Sequence, residues 1–148
     1  MQITISENMA DIAVFVDSHG GNTRKVADAL AEELGASVGD LMTPLPADAK
    51  VLFLGSGTYG GAPGKEMMKF VTDNVFTGRR VALFGTSMAE AGARKMIAAL
   101  EDALTRKGAT VLGSYQCRGK FLLFNRGRPN TGDLDNAKKF AREMVRAG

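Results

Sequence analysis

Two stretches of this chain combine glycines, hydroxyl groups and one aromatic residue at spacings that suit an anion and a planar ring. The first reads Asp17-Ser18-His19-Gly20-Gly21-Asn22-Thr23, between an apolar run and a helical stripe. At such a strand-to-helix turn glycines let the backbone approach a ligand, N–H groups point outward, and the helix dipole favours an anion. Ser18 and Thr23 can add hydroxyl donors. A glycine turn with a polar cap has the same composition, so this loop alone leaves both readings open. It is not a Walker motif, because no Lys-Ser or Lys-Thr closes it. The second stretch, Gly55-Ser56-Gly57-Thr58-Tyr59-Gly60, does show a Gly-x-Gly-x-x-Gly spacing. A dinucleotide fold would then need a prompt helix and an acid ending the next strand. Here Gly61-Ala62-Pro63 delays the helix, and the next apolar run ends Phe84-Gly85-Thr86.

The elements that must position these loops follow from the apolar pattern. Ile12–Val16, Val51–Leu54, Val81–Phe84 and the neighbourhood of Val111–Leu112 are continuous apolar runs, as in parallel strands covered on both faces. Ala36–Leu41 alternates weakly and suits an edge strand. Helical stripes lie between them. Val26, Ala27, Leu30 and Leu34 lead to a stop at Gly35, and Met67, Phe70, Val71 and Val75 follow an entry through Pro63. Ala93, Met96, Ile97, Leu100 and Leu104 end before Gly108; Leu134, Ala137, Ala141, Met144 and Val145 follow Thr131 or Asp133 as a cap. Strands alternating with helices predict a doubly wound α/β sheet over residues 9–148 as a single domain. Residues 1–8 read as a short tail. Ligand loops of such a sheet gather at the carboxyl ends of its strands, here near 17–23, 55–63, 85–92 and 117–131.

Taken together, the two loops resemble those of flavodoxins. The phosphate loop of that family runs hydroxyl-x-hydroxyl-Gly-x-Thr, and Ser18-His19-Gly20-Gly21-Asn22-Thr23 follows it except at Gly20. Its second loop carries Thr, an aromatic residue and Gly, as Thr58-Tyr59-Gly60 does. The resemblance extends from about Asp11 to Val145. It implies a five-stranded parallel sheet of order 2-1-3-4-5 and FMN as cofactor. The phosphate would sit at Ser18, His19, Gly20, Gly21, Asn22 and Thr23. The ring would lie by Ser56, Gly57, Thr58, Tyr59, Gly60 and Gly61, with Gly85, Thr86, Ser87 and Met88 of the third loop beside it. Tyr59 would stack on the ring, and the Gly60–Gly61 peptide would turn its carbonyl toward flavin N5 on reduction. Two departures predict a looser grip: Gly20 lacks a hydroxyl, and the third loop lacks an aromatic residue, leaving Met88 as the side chain that could cover the ring.

A formal charge of +3 and a pI near 9.2 favour anionic partners over the basic ones usual for this family. Cys117-Arg118-Gly119-Lys120-Phe121-Leu122-Leu123-Phe124-Asn125-Arg126-Gly127-Arg128-Pro129 carries much of that charge onto the ligand edge. It could draw an acidic redox partner or a nucleotide phosphate, or be a solvated loop with Phe121–Phe124 tucked against the sheet. Cys117, the lone cysteine, is either a small buried hydrophobe or a thiol activated by Arg118. With one histidine as well, a Cys/His metal site is not expected, and a reducing cytoplasm fits. No apolar run nears the roughly 20 residues of a membrane span, and no nucleic-acid module is recognisable. A receiver domain would need an aspartate where Gly55-Ser56 stands, and a low-molecular-weight phosphatase a cysteine within 17–23. The expected function is an FMN-bound electron carrier shuttling between redox enzymes. The alternatives are a small flavin-dependent NAD(P)H:quinone or nitro-compound reductase, or a binding module that has lost its flavin.

Overall fold

The computed structural model describes residues 11–148; the tail expected over 1–8 lies outside them. Strands β1 (Ile12–Asp17), β2 (Val38–Gly39), β3 (Val51–Gly57), β4 (Arg80–Ser87) and β5 (Thr110–Arg118) form one sheet. All four pairings are parallel, and the order is β2-β1-β3-β4-β5. Helices α1 (Asn22–Leu34), α2 (Lys65–Asp73), α3 (Glu90–Arg106) and α4 (Thr131–Ala147) connect the strands or follow the last one. This is the flavodoxin-like topology.

The continuous apolar runs have a direct cause. Successive strand residues point to opposite faces, and both faces are covered. Phe15, Leu52, Leu54 and Leu83 meet Met67 and Phe70 of α2 and Met96, Leu100 and Leu104 of α3. Val14, Phe53 and Phe84 meet Val26 and Leu30 of α1 and Phe140 and Ala141 of α4.

Several boundaries differ from the sequence reading. The strands run further toward the ligand edge, because Asp17 pairs with Ser56, Gly57 with Thr86, and Ser87 with Arg118 in the parallel ladders. Ser56, Gly57, Gly85, Thr86 and Ser87 are thus strand ends rather than loop residues. The edge strand shrinks to Val38–Gly39. Helix α2 stops at Asp73, so Val75 lies outside it and is 75% exposed. Pro63 precedes the N-cap, Gly64, instead of occupying the first turn. The cap of α4 is Asn130, whose side chain accepts from the Asp133 amide while the Asp133 carboxylate accepts from the Asn130 amide.

Candidate functional site

At the end of β1 the buried carboxylate of Asp17 reaches across the sheet. Its Oδ2 accepts from the Met67 amide at 3.0 Å, supplying the cap that α2 lacks, and its Oδ1 lies 3.2 Å from His19 Nε2. A Cβ at Gly64 would lie 2.0 Å from Asp17 Oδ2, so only glycine leaves room for that capping carboxylate. The chain then turns through Ser18-His19-Gly20 to Gly21, whose φ of 88° places it in the left-handed region that favours glycine. Ser18 Oγ accepts from the amides of Gly21 and Arg24, each at 3.2 Å. With its lone pairs thus engaged, its O–H remains to donate.

Helix α1 opens here with no acidic residue in its first turn and no side-chain cap from its N-cap residue. The amides of Asn22 and Thr23, as first-turn groups, have no intrahelical acceptor. An added Cβ at Gly20 or Gly21 would meet nothing within 4 Å, so the space before these amides is open. The loop therefore presents N–H groups, a hydroxyl and a positive dipole end to one open pocket, which is the donor set of an anion site. Thr23 is used differently from the expected outward donor. It is buried, and its hydroxyl lies 2.7 Å from that of Thr86, tying the loop to the end of β4.

The second loop is a tight hairpin. Tyr59 and Ala62 exchange both backbone hydrogen bonds, and Gly60 and Gly61 between them have φ of 63° and 79°. Two central residues with positive φ are what a type I′ turn demands. The Tyr59 ring stacks on His19 with centroids 4.3 Å apart, and its hydroxyl accepts from the His19 amide at 3.0 Å. Burial raises the phenol pKa, the His19 hydrogen bond works the other way, and the Asp17 carboxylate adds to the rise. Ser56, fully buried, braces the loop from behind, bonding the Gly57 carbonyl and the Gly64 amide at 2.8 Å each.

Between these loops and the third one lies a cleft of about 590 Å3, within the size range of cofactor pockets. Of the residues expected from sequence, Ser18, His19, Gly20, Asn22, Thr23, Gly57, Thr58, Tyr59, Gly60, Gly61, Thr86, Ser87 and Met88 line it. Gly21, Ser56 and Gly85 do not; Ser56 is buried behind the second loop, and Gly85 packs against Met96. The remaining wall, Ala89, Gly92, Gly119, Lys120 and Phe121, comes from the expected ligand loops 85–92 and 117–131, though the sequence reading did not single these residues out as lining. Asn22 Nδ2 donates to the Lys120 carbonyl at 2.8 Å, and a Cβ at Gly119 would crowd the Asn22 side chain at 2.7 Å. The sequence signal was the glycine at 119 just after the last strand.

Phe121–Phe124 is not tucked against the sheet. Phe121 and Phe124 close a hairpin by two backbone hydrogen bonds, and all four side chains project outward. Cys117, on β5, is half-buried. Burial and the Asp133 carboxylate push its thiol up to about 12 against smaller downward effects of Tyr115 and Arg128, so it is not an activated thiolate. It borders a smaller, polar cavity of about 270 Å3 that shares Ser87 and Ala89 with the main cleft and includes Gln116, Arg118, Arg128 and Asn136. Among the described residues there is no cluster of three potential metal ligands, and no helix is long and apolar enough to cross a membrane.

A family model described as a flavodoxin domain matches residues 13–128. An uncharacterised protein of Methanocaldococcus jannaschii is 28% identical over 149 residues, covering 93% of this chain and 99% of that protein. A flavodoxin from the domain Archaea superposes with a TM-score of 0.72 at 18% identity, over 91% of this chain and 96% of that one. Oxidised flavodoxin 2 of Bacillus cereus gives 0.73 at 20% identity, over 93% and 99%. At these identities the two structures speak for the fold.

Proposed function

Because this chain belongs to the flavodoxin family, we propose that its cleft binds FMN and that the protein carries electrons between larger redox enzymes. The observation that supports this most is the mixed lining of the cleft. Its wall joins the anion-binding donors of Ser18 to Thr23 with apolar surface from Tyr59, Met88 and Phe121. When bound, FMN supplies the one- or two-electron chemistry; the chain binds, orients and covers it. The Asn22 and Thr23 amides and the Ser18 hydroxyl take the phosphate. Tyr59 and Met88 flank the ring. The Gly60–Gly61 peptide can rotate at low steric cost, since Gly60 keeps a positive φ in types I′ and II′ while Gly61 changes sign. Lys120 and Arg118 make acidic proteins the favoured redox partners, and the lone Cys117 fits a reducing cytoplasm.

The test is titration of the purified protein with FMN, followed by reductive titration. Quenching of flavin fluorescence at stoichiometric protein, with a shifted flavin absorbance, is expected; unchanged fluorescence and absorbance would overturn the reading. One observation favours a second reading, a small flavin-dependent NAD(P)H:quinone or nitro-compound reductase. The polar cavity adjoining the cleft is walled by the Arg128–Asp133 ion pair, Glu90 and the exposed Arg118, and Arg118 is the cation there that could take a nucleotide phosphate. Rapid NAD(P)H oxidation by the FMN-loaded protein alone would select it over the carrier.

A further inference from the structure

Large apolar side chains that the core does not use gather beside the cleft. Phe121, Leu122, Leu123 and Phe124 are 56%, 72%, 74% and 60% exposed, and Met88 next to them is 47% exposed. The hairpin that carries them is held on several sides. Its two Phe residues exchange backbone hydrogen bonds, the Lys120 amide donates to the Arg128 carbonyl, and the Asn125 side chain donates to the Met88 carbonyl at 2.8 Å. Leu122 at its tip has a φ of 53°, a conformation disfavoured for a bulky residue. Strain and apolar exposure at one firmly held tip point to recognition rather than to packing. Around the tip, Arg118, Lys120 and Arg126 are exposed; the acids lining the adjoining cavity are Glu90 and Asp133, the latter paired with Arg128.

We propose that this hairpin is the docking element for a small acidic electron-carrier protein with an apolar patch beside its redox centre. The inference rests on the electron-carrier reading and names its partner class. Phe121 and Lys120 are also cleft wall, so a protein seated on the tip lies against the cleft mouth. The cations steer an acidic partner and fix its approach. A second copy of this chain would set these cations against each other. A lipid surface laid on these side chains would cover the cleft mouth without bringing a redox centre to it, which the electron-carrier reading does not accommodate.

The test uses isotope-labelled full-length protein, with and without FMN, titrated with an acidic rubredoxin as probe and followed by amide chemical shifts. Shifts concentrated at residues 119–126 and Met88 are expected. Affinity should fall roughly fivefold or more between low and physiological salt. It should fall as much in the Leu122→Asn/Leu123→Asn variant. Asparagine tolerates the left-handed conformation, and an unchanged spectrum elsewhere will show that the variant is folded. The apo arm separates this proposal from the cofactor assignment, since docking is read without FMN. Absence of shifts at 119–126, or an affinity unaffected by the variant, would overturn it. So would sedimentation with phosphatidylserine vesicles that the variant abolishes, dimerisation through the hairpin, or shifts there on deleting residues 1–8.

Discussion

Tyr59 ties the second loop to the anion loop: its ring lies on His19, and its hydroxyl accepts from the amide of the same residue. Tyr59→Ala removes the ring and should weaken FMN binding about tenfold, the size of one aromatic stack; Tyr59→Phe keeps the ring and should lose less. Fluorescence quenching titrations of both variants check this, and equal losses would assign the effect to the hydroxyl. Cys117 makes the opposite kind of prediction, one of inertness. Its thiol, pushed up to about 12 mainly by burial, should react with a disulfide reagent at about pH 8 far more slowly than in the unfolded chain. The linkage has a definite sign. A raised thiol pKa adds stability that is fully present below about pH 9 and is lost as pH rises toward 12. The loops Ser18–Thr23 and Thr58–Gly60 were legible in the sequence because their chemistry is local. The contacts Asp17–Met67 and Asn22–Lys120 were not, since they join residues 50 and 98 positions apart, and no local pattern encodes such pairs.

At the scale of elements, the alternation of strands and helices was legible because burial on both faces forces continuous apolar runs. Strand ends were not. Ser56, Gly57, Gly85, Thr86 and Ser87 have the composition of turns, yet neighbouring strands supply ladder partners that hold them extended. Phe121–Phe124 misled in the other direction: an apolar composition suggests burial, but a two-residue turn at Leu122 and Leu123 leaves no sheet face to reach. The entry to α4 carries its own prediction. Asn130 and Asp133 form a reciprocal cap, and Asp133 also accepts from Arg128 Nη2 at 2.8 Å. Asn130→Ala should cost about 1 kcal/mol in urea unfolding, the usual loss for a polar N-cap. Burial pushes the Asp133 carboxyl up, but the Arg128 guanidinium and the Asn130 amide outweigh it and hold its pKa below 3.8. A depressed carboxyl contributes stability that is present above that unfolded value and disappears as pH falls through the folded one. Asp133→Asn should therefore flatten the acid limb of the stability curve below about pH 4, measured by thermal unfolding across pH. An acid limb identical to that of the parent would remove Asp133 from the account.

For the whole molecule, the loops that make the cleft come from the ends of β1, β3, β4 and β5, so a ligand there adds to the links that His19–Tyr59, Thr23–Thr86 and Asn22–Lys120 already make between them. A ligand that binds only the folded chain stabilises it by mass action, by about 2.7 kcal/mol at a hundredfold excess over Kd. For a chain of 148 residues that corresponds to a rise in Tm of roughly 5–10 °C. Riboflavin isolates the contribution of the anion loop, because it keeps the ring and lacks the phosphate. If Ser18, Asn22 and Thr23 hold the phosphate at the start of α1, riboflavin at the same concentration should raise Tm far less than FMN. The gap should narrow as salt screens the partly exposed dipole end. Gly20 tests the same loop from the other side. Its Cβ would meet nothing within 4 Å, so Gly20→Ser is accommodated without a clash and supplies the hydroxyl that the family pattern carries there. It should widen the FMN gap and leave the riboflavin shift unchanged. Equal Tm shifts for FMN and riboflavin in the parent protein would place the phosphate in solvent and leave the loop as an ordinary glycine turn.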